Sequence, residues 1–260
     1  MYAKELSIML YAAKVAQDKI LEIYHKPFDV EIKSDNSPVT LADKSADKII
    51  RDILSKHFPS YGFLTEESTD NLDRLNKEYI FVVDPVDGTK DFVGRDDQFT
   101  TNIGLVRNHE VVAGVITIPA TNETYFATKN GGAYYMDQEG HIERIFVNDK
   151  TSDLTMLISN YHTTDAEREI IEKQKETITK VEGWGSAIKA CRIASGKAEV
   201  SFRLGNGTKE WDTAASQIIV LEAGGVFAKP DLSEIKYNRE DVYNREGFVI
   251  LNRKENLLIK

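Results

Sequence analysis

The chain has 260 residues, 41% of them hydrophobic and 29% charged, a composition that fits one large globular domain or two ordinary ones with a substantial core. No apolar run is long enough to span a bilayer, the start Met1-Tyr2-Ala3-Lys4-Glu5 does not read as a signal peptide, and the single cysteine, Cys191, excludes an internal disulfide and a cysteine zinc site. These features point to a cytoplasmic protein without integral membrane association. The net charge of −9 argues against a nucleic-acid polymer as partner. It leaves room for a small phosphorylated substrate whose charge a bound metal offsets.

Leu6, Met9, Leu10, Ala13, Ala16, Ile20 and Tyr24 recur at helical spacing and predict an amphipathic helix over residues 3–24. Val30 to Lys33 reads as a short strand, and Ser34-Asp35-Asn36-Ser37-Pro38 as a loop. Thr40-Leu41-Ala42-Asp43 has the capping-box pattern and opens a second helix with Ile49, Ile50, Ile53 and Leu54 on its buried side. By itself Asp43 is a helix-capping residue. Tyr61 to Thr65 predicts a strand ending at Glu66-Glu67, and adjacent residues on an extended chain point to opposite sides, so only one glutamate can face a given site.

The next strand, Tyr79-Ile80-Phe81-Val82-Val83, runs into Asp84-Pro85-Val86-Asp87-Gly88-Thr89. Pro85 has no backbone N–H and biases Asp84 away from helix, so the strand is expected to stop there. Two carboxylates and a carbonyl on one turn make a hard-oxygen site suited to Mg2+ or Mn2+. The same stretch also reads as an Asp-Pro turn followed by an Asp-Gly turn. An EF-hand is excluded, because a loop starting at Asp84 would need an acidic residue at Arg95.

Residues 99–119 predict a hairpin about Arg107-Asn108-His109-Glu110, with His109 in a solvated turn, and a second hairpin surrounds Lys129-Asn130-Gly131. The first 150 residues therefore read as two helices and an antiparallel sheet. Beyond residue 150 the pattern alternates: a strand from Leu154, a charged helix over 166–179, a helix over 186–194, a strand over 198–202, a helix opened by Asp212 as its N-cap, and strands at 226–228 and 248–251. The reading is thus an α+β half (1–150) packed closely on an α/β half (151–260), with no flexible linker between them. Gly183-Trp184-Gly185-Ser186 precedes a helix whose first amides could hold a phosphate, with Lys189 on the same face as Ser186 and Arg203 ending the following strand.

Three separated motifs, Glu66-Glu67, Asp84-Pro85-Val86-Asp87-Gly88-Thr89 and Trp211-Asp212-Thr213-Ala214-Ala215, resemble those of the lithium-sensitive, magnesium-dependent phosphomonoesterase superfamily that includes inositol monophosphatases. The likeness spans nearly the whole chain. Residues 33–43, Gly88-Thr89-Lys90-Asp91-Phe92, Gly185-Ser186-Ala187-Ile188-Lys189 and Ser159-Asn160-Tyr161-His162 resemble the bacterial 3'(2'),5'-bisphosphate nucleotidase branch more closely. Asn160 stands where that branch often has Arg, and Ala187 where it has Ser.

The resemblance implies a layered αβαβα sandwich and an Mg2+-dependent phosphomonoesterase acting on the 3'-phosphate of adenosine 3',5'-bisphosphate (PAP). Two or three Mg2+ ions, replaceable by Mn2+, would be held by Glu66, Asp84, Asp87, Asp212 and the Val86 carbonyl, with no metal role for Glu67. It implies that Thr89 and Asp43 take the proton from the attacking water, with Glu66 among the catalytic residues. The nucleotide would be met by Asp87, Gly88, Thr89, His162, Ser186, Lys189, Arg203 and Asp212. The alternatives are an inositol monophosphatase or broad sugar-phosphate phosphatase of the same superfamily and, from another class, a non-catalytic binding module. The superfamily contains both monomers and homodimers.

Overall fold

The computed structural model describes residues 2–32 and 38–259; of the loop expected at 34–38, residues 34–37 lie outside the described residues and Pro38 begins a short strand. The described residues hold two large sheets and the helices that cover them. Helices α1 (Ala3–Tyr24) and α2 (Leu41–His57) bury alanines against each other, Ala12, Ala13 and Ala16 on one and Ala42 and Ala46 on the other. Small side chains let the two axes approach closely. The expected capping box is present: Thr40 caps α2 and the Asp43 carboxylate accepts the Thr40 backbone N–H at 2.8 Å. Of the four predicted core residues on α2, Ile50 and Leu54 are fully buried, while Ile49 and Ile53 are partly covered.

Strands β1 (Val30–Ile32) and β2 (Pro38–Thr40) form a small antiparallel pair ahead of α2. The larger sheet runs in the order β3 (Gly62–Thr65), β4 (Tyr79–Asp87), β5 (Thr100–Arg107), β6 (Glu110–Ile118), β7 (Glu123–Thr128), β8 (Gly132–Met136) and β9 (Ile142–Ile145). It is antiparallel except at its first edge, where β3 and β4 run parallel, a departure from the sequence expectation. Period-two alternation separates its faces. Phe81 and Val83 join the core under α1 and α2, while Ile80 and Val82 join the core on the opposite side.

On that opposite side lie α5 (Ile188–Ala194) and α6 (Glu210–Glu222), and beyond them a five-stranded sheet ordered β11 (Ile178–Gly183), β10 (Leu154–Ile158), β12 (Val200–Arg203), β14 (Phe248–Leu251), β13 (Val226–Ala228). Helix α4 (Asp165–Lys173) covers its outer face through Ile170. The layers are therefore α, β, α, β, α, as expected. Three local expectations are corrected. The charged helix ends at Lys173, and the Thr-Lys-Val-Glu stretch after Ile178 is the edge strand β11, parallel to β10. The helix expected from 186 starts at Ile188, because Ser186 takes a left-handed φ of 45°. Helix α6 begins at Glu210, which puts Asp212 in its first turn, not at its N-cap.

Two glycines set how α6 sits. Gly104 and Gly114 are cross-strand partners on β5 and β6. A Cβ at Gly104 would lie 2.8 Å from Ala214 Cβ, and one at Gly114 would lie 2.5 Å from Ile218 Cγ2 and 2.9 Å from the Ala215 carbonyl. The helix thus rests on bare backbone, and its first turn is brought over the end of β4. Gly114→Ala is expected to destabilise the protein by about 1–3 kcal/mol through overpacking. A urea unfolding midpoint checks this; an unchanged midpoint would mean that α6 has room to move.

Candidate active site

Strand β4 does not stop at Pro85 but continues to Asp87 through a β-bulge. Asp84 pairs with Asn102 and Asp87 with Thr100, so three steps along β4 face two along β5. Pro85 is tolerated because pairing with β3 ends at Val83, where no partner needs its missing N–H. The Pro85 carbonyl accepts the Thr101 hydroxyl at 2.8 Å. The extra residue has a direct consequence. In a regular strand, positions three apart point to opposite faces, and one inserted residue returns Asp87 to the side of Asp84.

Asp84, Asp87 and, from the first turn of α6, Asp212 offer carboxylate oxygens that all lie within 4.8 Å of one another. They form the floor of a cleft of about 420 Å³. It opens where β4, β10 and β12 end, outside the carboxyl ends of the strands. Every site residue expected from the sequence lines this cleft except Asp43, which stands behind Thr89. Of the adjacent glutamates, Glu66 is the one that lines it.

Each floor residue is fixed by local structure. Asp87 Oδ2 accepts from Asn102 Nδ2 at 3.0 Å and from the Thr100 hydroxyl at 3.3 Å. Asp212 Oδ2 accepts the Lys209 backbone N–H at 2.5 Å, closing the first turn of α6. Glu210, fully buried, accepts the Asn238 and Arg239 backbone N–H groups at 2.7 and 2.8 Å and anchors that turn. Asp84 is 1% exposed, and its Oδ1 is buried with no hydrogen-bond partner. A buried carboxylate oxygen of this kind is costly unless something positive meets it.

The electrostatics agree. Burial pushes the Asp84 carboxyl well above its ordinary value, and the negative Glu66, Asp87 and Asp212 push it further. Burial also raises Asp87 and Asp212, against the opposing pull of Lys189 and Asn102 on Asp87. Packed carboxylates with only hard oxygen donors fit a divalent cation of the magnesium type, so the residues present fit the metal that the sequence implies.

Beside this floor the cleft lining is basic. Lys189 Nζ donates to the Trp184 and Ser186 carbonyls at 2.9 and 2.7 Å, and burial pushes its pKa down to about 8. Arg203 donates to the His162 carbonyl and lies 3.8 Å from Glu167. Desolvation holds the His162 imidazole below its usual range, and the positive Lys90, Arg203 and Lys189 add to this. Ser186 Oγ is buried with no protein partner and belongs to the same wall.

Gly88 takes a φ of 89°, which turns the chain into the short helix α3 (Thr89–Gly94). This places the Thr89 hydroxyl 3.2 Å from both Asp43 Oδ1 and the Val86 carbonyl. Asp43 is 2% exposed, its other oxygen accepts the Thr40 N–H and hydroxyl, and burial raises its pKa. Its capping role and its contact with Thr89 therefore coexist, one on each carboxylate oxygen. The sequence reading missed Thr100, Asn102, Lys90 and Gln98. A signal was present for the first two: Thr100-Thr101-Asn102 is a fully buried polar triplet at the head of an otherwise apolar strand.

Over residues 3–259 the sequence matches the inositol monophosphatase family. It is 33% identical over 239 residues to the 3'(2'),5'-bisphosphate nucleotidase CysQ of Escherichia coli (strain K12), covering 91% of this chain and 95% of that protein. Over 250 residues it is 30% identical to the nucleotidase of the same name from Haemophilus influenzae, covering 95% of this chain and 92% of that one. The fold matches the crystal structure of CysQ from Bacteroides thetaiotaomicron with a TM-score of 0.83 at 34% identity, over 97% of this chain and 99% of that chain. It matches the extragenic suppressor protein suhB from Bartonella henselae with a TM-score of 0.83 at 26% identity, over 99% of each chain. The chain belongs to the inositol monophosphatase family, a family of metal-dependent phosphatases.

Proposed function

We propose that the protein is an Mg2+-dependent 3'(2'),5'-bisphosphate nucleotidase that hydrolyses the 3'-phosphate of PAP to give AMP and phosphate. The observation that carries this reading is the mixed lining of one cleft, in which a carboxylate floor adjoins a wall that presents Lys90, Lys189 and Arg203. A monophosphate needs only the floor and its cation. A basic wall in the same cleft suits a substrate with a second phosphate. The bisphosphate nucleotidase activity of the CysQ relatives supports the same choice.

Glu66, Asp84, Asp87, Asp212 and the Val86 carbonyl would hold the metal. When bound, Mg2+ supplies Lewis acidity and positive charge toward the scissile phosphate and makes nearby water more acidic. The protein's own residues do the rest. Thr89 Oγ1 takes the proton of the attacking water and passes its own to Asp43 Oδ1. Burial makes Asp43 a stronger base than an ordinary carboxylate, and Thr40 holds it in place. Asn102 and Thr100 hold one oxygen of Asp87 and so fix that carboxylate in the cleft floor. Lys189 and Arg203 bind the phosphate that is not cleaved, and His162 and Ser186 bound the nucleoside beside it.

Thr89→Val keeps the shape of the side chain and removes the hydroxyl. It is expected to lower kcat by about 10²–10⁴-fold while Mg2+ binding, followed by calorimetry, is unchanged. Thr89→Ser should recover most of the rate. A Thr89→Val enzyme with wild-type kcat would remove Thr89 and Asp43 from the proton path.

A further inference from the structure

Three non-glycine residues beside the cleft hold left-handed backbone: Arg95 (φ 60°), Asp97 (φ 66°) and Ser186 (φ 45°). Each conformation costs on the order of 1 kcal/mol and persists only where surrounding contacts enforce it. The contacts are present. The Arg95 guanidinium lies 4.8 Å from the Tyr24 ring and 4.7 Å from the Phe28 ring, and it donates to the Lys26 carbonyl at 2.8 Å. The Tyr24 hydroxyl donates to Asp97 Oδ1 at 2.8 Å. The segment 95–98 is thereby strapped to the end of α1, and it ends in Gln98.

The Gln98 side chain faces the other strained segment. Its Oε1 accepts the Gly185 backbone N–H at 2.7 Å and Asn160 Nδ2 at 3.0 Å. The same Asn160 amide reaches Asp91 Oδ1 at 3.2 Å. Contact is too close for a side chain at 185, since a Cβ there would lie 2.5 Å from the Gln98 carbonyl and 2.6 Å from Asp91 Oδ1. The turn so held presents three groups to the substrate wall: the Trp184 and Ser186 carbonyls that grip Lys189, and the buried, unpartnered Ser186 hydroxyl.

We propose that Gln98 is a positioning residue for bisphosphate recognition: by accepting the Gly185 N–H it sets the 184–186 turn, and through it the Lys189 ammonium and the Ser186 hydroxyl. The hydrogen bonds of the Gln98 side chain go to Gly185 and Asn160, not to the floor carboxylates or Thr89. Its loss should therefore weaken binding of the second phosphate and leave the chemistry on the first. The amide of Asn160 shares Gln98 Oε1 with Gly185, an arrangement that places a neutral bridge between the two segments.

The inference rests on the proposal that Lys189 meets the uncleaved phosphate and Ser186 the nucleoside beside it, and the wild-type enzyme tests that first through its preference for PAP over inositol monophosphate. Absence of that preference overturns the parent reading and this one with it. Given the preference, Gln98→Leu is compared with Gln98→Glu, whose carboxylate can still accept the Gly185 N–H. The expected result is a KM for PAP raised about tenfold in Gln98→Leu, the effect of losing one anchoring hydrogen bond. In that variant kcat should stay within about twofold and the KM for inositol monophosphate should be little changed. Gln98→Glu should recover the lower KM. Equal losses on both substrates, a fall confined to kcat, or an unchanged KM for PAP would overturn the positioning role.

Discussion

Asp84→Asn should abolish phosphate release, by on the order of 10³-fold or more, and at the same time raise the melting temperature of the metal-free protein. The two effects have one cause. Asp84 is buried, its Oδ1 has no partner, and its charge is opposed by Glu66, Asp87 and Asp212. A carboxyl whose folded pKa is raised binds its proton more tightly in the native state. Its contribution to stability is therefore greatest at low pH and is lost as pH rises above the unfolded value of 3.8 toward the raised folded one. Near neutral pH the metal-free floor thus works against folding, and an asparagine removes one of the repelling charges. A cation that offsets the charges reverses the balance.

Mg2+ at a hundred times its Kd stabilises a native state by about 2.7 kcal/mol, which for a chain of this size is roughly 5–10 °C in Tm. Wild-type protein should show that rise and Asp84→Asn should not. Scanning calorimetry with and without Mg2+ checks both. A variant that loses stability without metal yet keeps the Mg2+ shift would show that Asp84 is a structural residue.

Lys189→Ala is expected to lower kcat/KM for PAP by roughly 10²-fold, the worth of a charge-assisted hydrogen bond to a phosphate. Inositol monophosphate, with no second phosphate to lose, should be hurt far less. Lys189 also supplies a pH signature. Burial lowers its pKa to about 8, so the ammonium is present below that value and lost above it. Because kcat/KM reports the free enzyme, the value for PAP should fall as pH rises past about 8, and the fall should be absent in Lys189→Ala. Equal losses on the two substrates would take Lys189 out of substrate selection.

The elements that carried their own signals were legible in the sequence. Helix α1 has a full apolar stripe, α2 has its capping box, and the β5–β6 hairpin turns on Asn108 and His109, both at positive φ. The Asp84 to Thr89 stretch, Glu66 and Asp212 marked the floor of the cleft, and the structure brings their side chains to one place. What the sequence hid depends on partners far along the chain. Strand β11, Ile178 to Gly183, is mostly exposed at the edge of a sheet and carries Lys180 and Glu182, so next to a charged helix it reads as more helix. Helix α3 has six residues, too few for a period to show, and it is bounded by positive φ at Gly88 and Arg95.

The bulge at Pro85 is invisible without the register against β5, although it is what turns Asp84 and Asp87 the same way. Gln98 has no local pattern, and the polar triplet that contains Asn102 does not say which partner it meets. Their roles exist only because β5 pairs with β4 and because residues 183–186 fold back on the segment after α3. Asp43 and Asp212 show why a structural and a chemical reading need not compete. Each closes the first turn of a helix through one carboxylate oxygen, and in doing so aims its side chain at the site.

The most direct test is phosphate release by the purified protein with Mg2+, offering PAP, inositol monophosphate and fructose bisphosphate side by side, with EDTA as the control. The expected result is a clear preference for PAP that EDTA abolishes. Preference for inositol monophosphate would contradict the assignment of the Lys189 and Arg203 wall, and turnover that survives EDTA would contradict the metal chemistry of the floor.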